Sequence, residues 1–301
     1  MNQPLDPQQA YLYGQIVQAA YTMFNNPRGP DPLRPDPAGI PPQYELGAWI
    51  HMSDFFMNIV KPKFYGIVVH EVANPDSRII AIRGTEHMIE WLDDGIACPV
   101  PFHQVPSAGR VAYGFDRIYS TLKVVKRRLP ATVAREATPA GAPDTFEGSF
   151  ADQLDQEAAS REAERRPRAP LAEGRSRPLR PTVVTGHSLG AALCTLFVME
   201  NHAKRKFDIG TLCTFASPHV GDTQFAHLFN LLAINSWRIV NKWDLVPKLP
   251  PSIPILVHYS HVDTAYPFDS STFAKNNPVC WHVLDTYLHW LNPASPLSPE
   301  C

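Results

Sequence analysis

The tightest constraint on this chain lies between residues 181 and 205. Pro181-Thr-Val-Val-Thr185 has the β-branched, apolar make-up of a buried strand, and Leu189 to Arg205 carries a helix-forming pattern. Only Gly186, His187 and Ser188 separate the two. A backbone that passes from strand to helix in three residues turns so sharply that a Cβ at Gly186 or Gly190 would collide with its neighbours. Gly186-His187-Ser188-Leu189-Gly190 therefore reads as a GxSxG elbow that presents the Ser188 hydroxyl at the top of the turn. A bare GxSxG is a weak sign. The strand before it and the helix after it give it weight.

The surrounding pattern fits that reading. Phe64-Tyr-Gly-Ile-Val-Val-His-Glu-Val72 and Arg78-Ile-Ile-Ala-Ile-Arg83 are predicted strands, joined by the turn-forming Asn74 to Ser77. Thr211 to Phe215 and Trp237 to Val240 are two further apolar strands with helix-length segments between, as in a parallel βαβ sheet. Residues 6 to 25 are predicted as an amphipathic helix, Pro27 to Pro42 as an extended loop, and Gly114 to about Arg128 as a helix stopped by Pro130. From about 130 to 181 the composition shifts to Ala, Pro, Arg, Glu and Gly. That insertion is expected to be mobile and tolerated at the surface, with Gln153 to Arg166 as a solvated helix inside it. The whole is expected to be one α/β domain spanning residues 1 to 301, of the α/β-hydrolase type. Its mostly parallel central sheet would be flanked by helices, with the insertion just before the strand that carries Ser188.

Composition narrows the function classes. The net charge is −2 and no long cationic stripe occurs, so no nucleic-acid partner is expected. The opening MNQPLDPQQAYLYG lacks the form of a secretory signal, and no run of 18 apolar residues appears. A cytoplasmic location is the expectation, with signal-independent export compatible with the same sequence. Five cysteines, an odd number without a CxxC pair, fit reduced thiols better than a disulfide framework, with Cys98 and Cys280 as one pair that folding could join.

A serine nucleophile needs a base, and the base an orienting carboxylate. In α/β-hydrolases these come after the serine in the order acid, then histidine. Asp208, Asp222, Asp244, Asp263, Asp269 and Asp285 all lie downstream, and Asp244 stands just beyond the predicted Trp237 strand. His258, His261, His282 and His289 come after it. His282, at the start of an apparent helix from Val283 to Leu291, is the expected base, with His289 its rival. The oxyanion hole needs two aimed N–H groups. Leu189, next after the nucleophile, should give one; Thr85, after the Arg78 strand, should give the other and could add its hydroxyl.

With these residues assembled, the sequence resembles the class 3 lipases, the fungal-type triacylglycerol lipase family. Ile80-Ala-Ile-Arg-Gly-Thr85 looks like that family's oxyanion segment, and Glu90-Trp-Leu-Asp-Asp94 is similar to its W-x-x-D. Val111 to Phe115 is similar to V-H-x-G-F, and Thr214-Phe-Ala-Ser-Pro-His-Val-Gly-Asp222 to T-F-G-x-P-R-V-G-N. Asn241-Lys-Trp-Asp-Leu-Val-Pro247 looks like N-x-x-D-x-V-P, which carries the triad acid, and His282-Val-Leu-Asp-Thr-Tyr-Leu288 like the terminal H-x-x-x-x-Y-L, which carries the histidine. Ala112, Ala216 and Asp222 depart from the family's His, Gly and Asn. The resemblance implies a carboxylic ester hydrolase, a lipase or phospholipase, working through Ser188, Asp244 and His282 without metal or organic cofactor. It also implies a lid over about His87 to His103, with Met88, Ile89, Trp91, Leu92, Ile96, Val100 and Phe102 as its apolar face, a set that would equally suit core. Such a lid points to long-chain acyl substrates and transient contact with a lipid interface. An acyltransferase with the same triad and a non-catalytic binding module are the competing readings.

Overall fold

A computed structural model describes residues 3–27, 31–54, 59–85, 97–127, 144–165, 181–252 and 258–301. The first half of the chain runs α1 (Pro7–Asn25), β1 (Tyr44–Asp54), β2 (Ile59–Glu71), β3 (Arg78–Ile82), β4 (Pro99–Pro101), β5 (Arg110–Ala112), α2 (Tyr113–Tyr119), β6 (Lys123–Val125) and α3 (Phe150–Arg165). The second half runs β7 (Pro181–His187), α4 (Leu189–Lys204), β8 (Asp208–Phe215), β9 (Gly221–Asp222), α5 (Thr223–Asn230), β10 (Asn235–Asn241), β11 (Tyr259–Ser260), β12 (Ala265–Phe268), α6 (Pro278–His282) and α7 (Leu284–Leu291).

Eight strands form a central sheet in the order β12-β10-β8-β7-β3-β2-β1-β6. From β12 to β3 all neighbours are parallel, while β2, β1 and β6 extend one edge antiparallel. The predicted hairpin is the β2–β3 pair, with Ile67 opposite Ala81 and Val69 opposite Ile79. Helices cover both faces. On one, α1 and α7 bury Ile16, Val17, Tyr287 and Leu288 against Phe215, Trp237 and Ile239. On the other, Phe115, Phe150, Phe197 and Phe225 from α2, α3, α4 and α5 join a larger cluster. The small strands β11, β9, β5 and β4 make a second, antiparallel sheet. This is the mostly parallel, helix-flanked sheet of an α/β-hydrolase.

The local reasons are legible. Asp6 starts α1 by accepting from the Gln8 and Gln9 N–H groups, and Pro7 fills the first position, where no N–H is needed. β7 is buried almost throughout and α4 from Leu189 to Asn201, which explains why neither segment shows alternation.

Three expectations need correction. The helix predicted from Gly114 to about Arg128 stops at Tyr119, where the Ser120 and Thr121 hydroxyls turn back onto the Arg117 and Ile118 carbonyls. Val124 and Val125 then pair with Ile50 and Trp49 of β1, because an unfilled sheet edge is a better partner for β-branched residues than another helical turn. The helix inside the insertion is core, not solvated: Phe150, Ala151, Leu154 and Ala158 are buried. Phe150, Leu154 and Ala158 fall four residues apart, so one stripe suffices although the rest of the helix is polar. Gln153 joins it to the sheet, accepting from Val124 N–H and donating to the Leu122 carbonyl. Glu157, also buried, meets His70 at 3.2 Å and Arg78 at 3.7 Å. Burial alone would raise its carboxyl pKa; His70, Arg78 and Arg161 outweigh that and hold it below the ordinary value. Residues 130–143 and 166–180 of the insertion lie outside the described residues, while Thr145 bridges to Val125 and Phe146 is buried.

The third correction concerns the cysteines. Cys280 is bonded to Cys301, whereas Cys98 is free and exposed. The tail carbonyls of Cys301 and Glu300 accept from the Lys275 N–H and Nζ, which carries the C-terminal segment back to α6. A pairing across so many tail contacts is invisible in cysteine spacing.

Candidate active site

The site stands at the carboxyl ends of the parallel strands, where loops from β3, β7 and β10 converge. Ser188 comes directly after β7 with φ 57° and ψ −126°, a conformation that L-residues rarely adopt and that lifts its side chain clear of the turn. The elbow is packed hard against β3: a Cβ on Gly190 would sit 2.1 Å from the Ile82 carbonyl oxygen. Only glycine there allows α4 to start directly over the end of β3.

Ser188 Oγ lies 2.9 Å from His282 Nε2, and His282 Nδ1 lies 2.8 Å from Asp244 Oδ2. Asp244 is 1% exposed, and its other oxygen accepts from Val246 N–H at 2.9 Å. Its Oδ2 also accepts from the Tyr287 hydroxyl at 2.6 Å. Burial, then the adjacent carboxylate, pushes the Tyr287 phenol well above its ordinary pKa, so it stays a donor. The carboxylate is thereby held from three directions.

His282 does not begin the final helix as expected. It ends α6, and Val283 separates it from α7. Asn241, at the end of β10, fixes that junction through Nδ2 bonds to the Trp281 carbonyl and to Ser270 Oγ, each 2.8 Å. The rival histidines are engaged elsewhere: His289 Nδ1 meets the Ser295 carbonyl, His261 Nε2 the Pro247 carbonyl, and His258 is exposed. Among the other acids, Asp222 caps α5 through Phe225 N–H and Asp269 accepts from Trp243 Nε1 and Ser271.

Leu189 supplies the first N–H of α4, which an α-helix leaves without an internal partner. Thr85 Oγ1 is buried and has no hydrogen-bond partner among the described residues. A buried hydroxyl without a partner costs stability unless something else uses it. Of the residues expected to form a lid, Met88, Ile89, Trp91, Leu92 and Ile96 lie outside the described residues. Val100 is half-buried in β4, and Phe102 is core, edge-to-face with Tyr119 and Phe225.

Three neighbours of the site escaped the sequence reading. Tyr287 was visible only as the Tyr of a family motif, without a role. Tyr21 donates to His187 Nδ1 from 166 residues away, and Arg83 donates to the Gly84 carbonyl. Arg83 was visible only as a member of the Ile80 to Thr85 motif, again without a role, and no local pattern announces Tyr21. Of the departures from family wording, Asp222 caps α5 through its side chain and Ala216 adopts φ 53°, the left-handed region that favours the glycine it replaces.

Comparison with known proteins bears on this arrangement. Residues 79–253 match the family described as Lipase (class 3). Phospholipase A1-II 3 from Oryza sativa subsp. indica is 28% identical over 302 residues, covering 93% of this chain and 61% of its own length. Phospholipase A1-IIgamma from Arabidopsis thaliana is 38% identical over 120 residues, covering 35% of this chain and 27% of its own. The chain thus spans 61% of the former's length and far less of the latter's. Two solved structures share the fold. One is a mutant MDLA from Penicillium cyclopium, with TM-score 0.54, 20% identity, and coverage of 91% of this chain and 83% of that one. The other is a mono- and diacylglycerol lipase from Aspergillus oryzae, with TM-score 0.54, 17% identity, and coverage of 88% and 80%. Because the family match runs over more than half of the sequence and takes in β3, the serine elbow and the Asp244 loop, this chain belongs to the class 3 lipase family.

Proposed function

We propose that this protein hydrolyses long-chain carboxylic esters of lipids by acyl transfer through Ser188. The observation that carries the reading is the unbroken series from Ser188 Oγ to His282 Nε2 and from His282 Nδ1 to Asp244 Oδ2. Ser188 attacks the ester carbonyl while His282 Nε2 takes its proton. Asp244, buried and held by Val246 and Tyr287, keeps the imidazole as the Nδ1–H tautomer and stabilises the imidazolium that forms. The developing oxyanion is received by the Leu189 and Thr85 N–H groups, with the Thr85 hydroxyl as a third donor. His282 returns its proton to the leaving alcohol; water then attacks the acyl-enzyme by the same route, regenerating Ser188 and releasing the fatty acid.

The relatives named as phospholipases A1 favour phospholipid over triacylglycerol as the substrate. Exposed Trp243, Leu245 and Val279 flank Asp244 and His282 in the chain and support transient contact with a lipid surface. The Cys280–Cys301 bond favours work in an oxidising compartment, reached by export, over the cytoplasm expected from the sequence.

The test compares wild type with Ser188→Ala on p-nitrophenyl esters from two to sixteen acyl carbons, on phosphatidylcholine and on triacylglycerol, with a fluorophosphonate label. Turnover and labelling by wild type alone, rising toward long chains and toward phosphatidylcholine, is expected. Equal rates for the two proteins would remove Ser188 from the chemistry, and a short-chain preference would remove the lipid substrate.

A further inference from the structure

We propose that Arg83 and Tyr21 are positioning residues for the oxyanion hole, acting through the single peptide group between Gly84 and Thr85. The inference rests on serine acyl transfer at Ser188 and assigns work to two side chains that this chemistry does not otherwise use.

Gly84 cannot hold itself in place. A Cβ on it would lie 2.7 Å from Ser188 Cβ, 2.8 Å from the Tyr21 hydroxyl and 3.0 Å from the His187 carbonyl oxygen. The segment beside the nucleophile is therefore bare backbone, with the conformational freedom of glycine and no side chain of its own to pack. It is gripped from outside on both sides. Gly84 N–H donates to the Tyr21 hydroxyl at 2.7 Å, and Arg83 Nη1 donates to the Gly84 carbonyl at 2.7 Å.

The second grip is the consequential one. The Gly84 carbonyl and the Thr85 N–H belong to one planar, trans peptide unit and point in opposite directions. Fixing the carbonyl on a guanidinium fixes the direction of the N–H that receives the oxyanion. A cationic donor on the carbonyl also polarises the peptide, which makes that N–H a stronger donor. Arg83 is itself immobile. It is 1% exposed, its guanidinium carbon sits 3.6 Å from the Phe24 ring centre and 4.1 Å from that of Tyr65, and Nη2 donates to the Phe64 carbonyl at 3.0 Å.

The Tyr21 grip continues to the other side of the site. Having accepted from Gly84, the Tyr21 hydroxyl gives its own proton to a hydrogen bond with His187 Nδ1 at 2.8 Å. His187 Nε2 faces the His282 carbonyl at 2.8 Å and, since a carbonyl only accepts, carries the hydrogen. Every hydrogen in the series is thus assigned: Gly84 N–H to Tyr21, Tyr21 O–H to His187, His187 N–H to the backbone of the base. The assignment requires a neutral His187, in keeping with a ring that burial and the neighbouring His282 hold well below its ordinary pKa. One helix, α1, supplies both Tyr21 and Phe24, so it ties the oxyanion peptide to the histidine that takes the proton.

The test uses Tyr21→Phe and Arg83→Lys. Active sites are counted by fluorophosphonate titration, and kcat per titrated site, KM and affinity for an alkyl trifluoromethyl ketone are measured on each variant. Removing an oxyanion donor outright costs about 100- to 1,000-fold in kcat, so loosening one should cost roughly 10- to 100-fold. That loss should fall on kcat with KM within about twofold, and the ketone should weaken by the same factor, because it mimics the tetrahedral state. Tyr21→Phe removes one oxygen and changes no packing, so it keeps the proposal testable even if Arg83→Lys fails to fold. A kcat per titrated site within about twofold of wild type, whatever happens to thermal stability, would leave Tyr21 a merely structural residue and overturn the proposal. A rise in KM at unchanged kcat would overturn it as well. If wild type itself neither labels nor turns over, serine acyl transfer fails first, which is a different result.

Discussion

Replacing Cys301 with serine tests the C-terminal bond and its bearing on location. The disulfide closes a loop with a sequence separation of 21 between the end of the chain and the helix that carries His282. Chain-entropy arguments for a loop of that length give about 3 kcal/mol of stabilisation, by restricting the unfolded chain. Cys301→Ser, or wild type under reductant, should therefore be less stable to urea by about 3 kcal/mol. The denaturant slope should equal that of the oxidised protein or be slightly steeper, because the released unfolded chain exposes more surface. Thiol counting gives the independent check. Of the five cysteines, only Cys98 is both free and exposed, while Cys194 and Cys213 are buried. Ellman's reagent should find one fast thiol in the native protein, three after denaturation and five after denaturation with reduction. Five thiols without reductant, or a stability change below about 0.5 kcal/mol, would refute the bond and remove the argument for an oxidising compartment.

Three further perturbations each test a particular contact. Phe150→Ala should cost about 3–5 kcal/mol in a urea titration, because Phe150 is 2% exposed and packs edge-to-face on Tyr119 and Phe197; a surface insertion would lose almost nothing. His261 is held down to about 3 by burial, with Arg238 and His219 adding to it. The unfolded chain then binds the extra proton as pH falls from about 6.5, so stability should decline toward acid by up to about 1.4 kcal/mol per pH unit. His261→Gln should remove that share of the slope, and an unchanged pH series would count against it. Asp244→Asn should keep the fold but lower kcat roughly 1,000- to 10,000-fold, since an amide no longer selects the Nδ1–H tautomer of His282; a loss under about tenfold would mean that another group orients the base.

What the sequence determined by itself was local. The elbow could be read because a strand and a helix lie within 25 consecutive residues and their propensities agree, although β7 runs on to His187 and leaves only Ser188 between them. Asp244 could be read because a loop at the end of a parallel strand is also a local feature. The same reasoning overran at Tyr119, where the unpaired edge of β1 claimed Val124 and Val125, and it undervalued α3, whose apolar stripe is narrow. β1 itself, which pairs with β2 over most of its length, drew no expectation. The sequence named His282 as the base with His289 as its rival, and the tertiary structure separated the two by bringing His282, 94 positions away, to within 2.9 Å of Ser188. It alone brought Tyr287 to Asp244, Tyr21 to His187 and Cys301 to Cys280. The physical reason is common to all of these. Backbone propensity and periodicity act over a few residues, whereas a hydrogen bond between side chains far apart in sequence exists only once the sheet and its helices have packed.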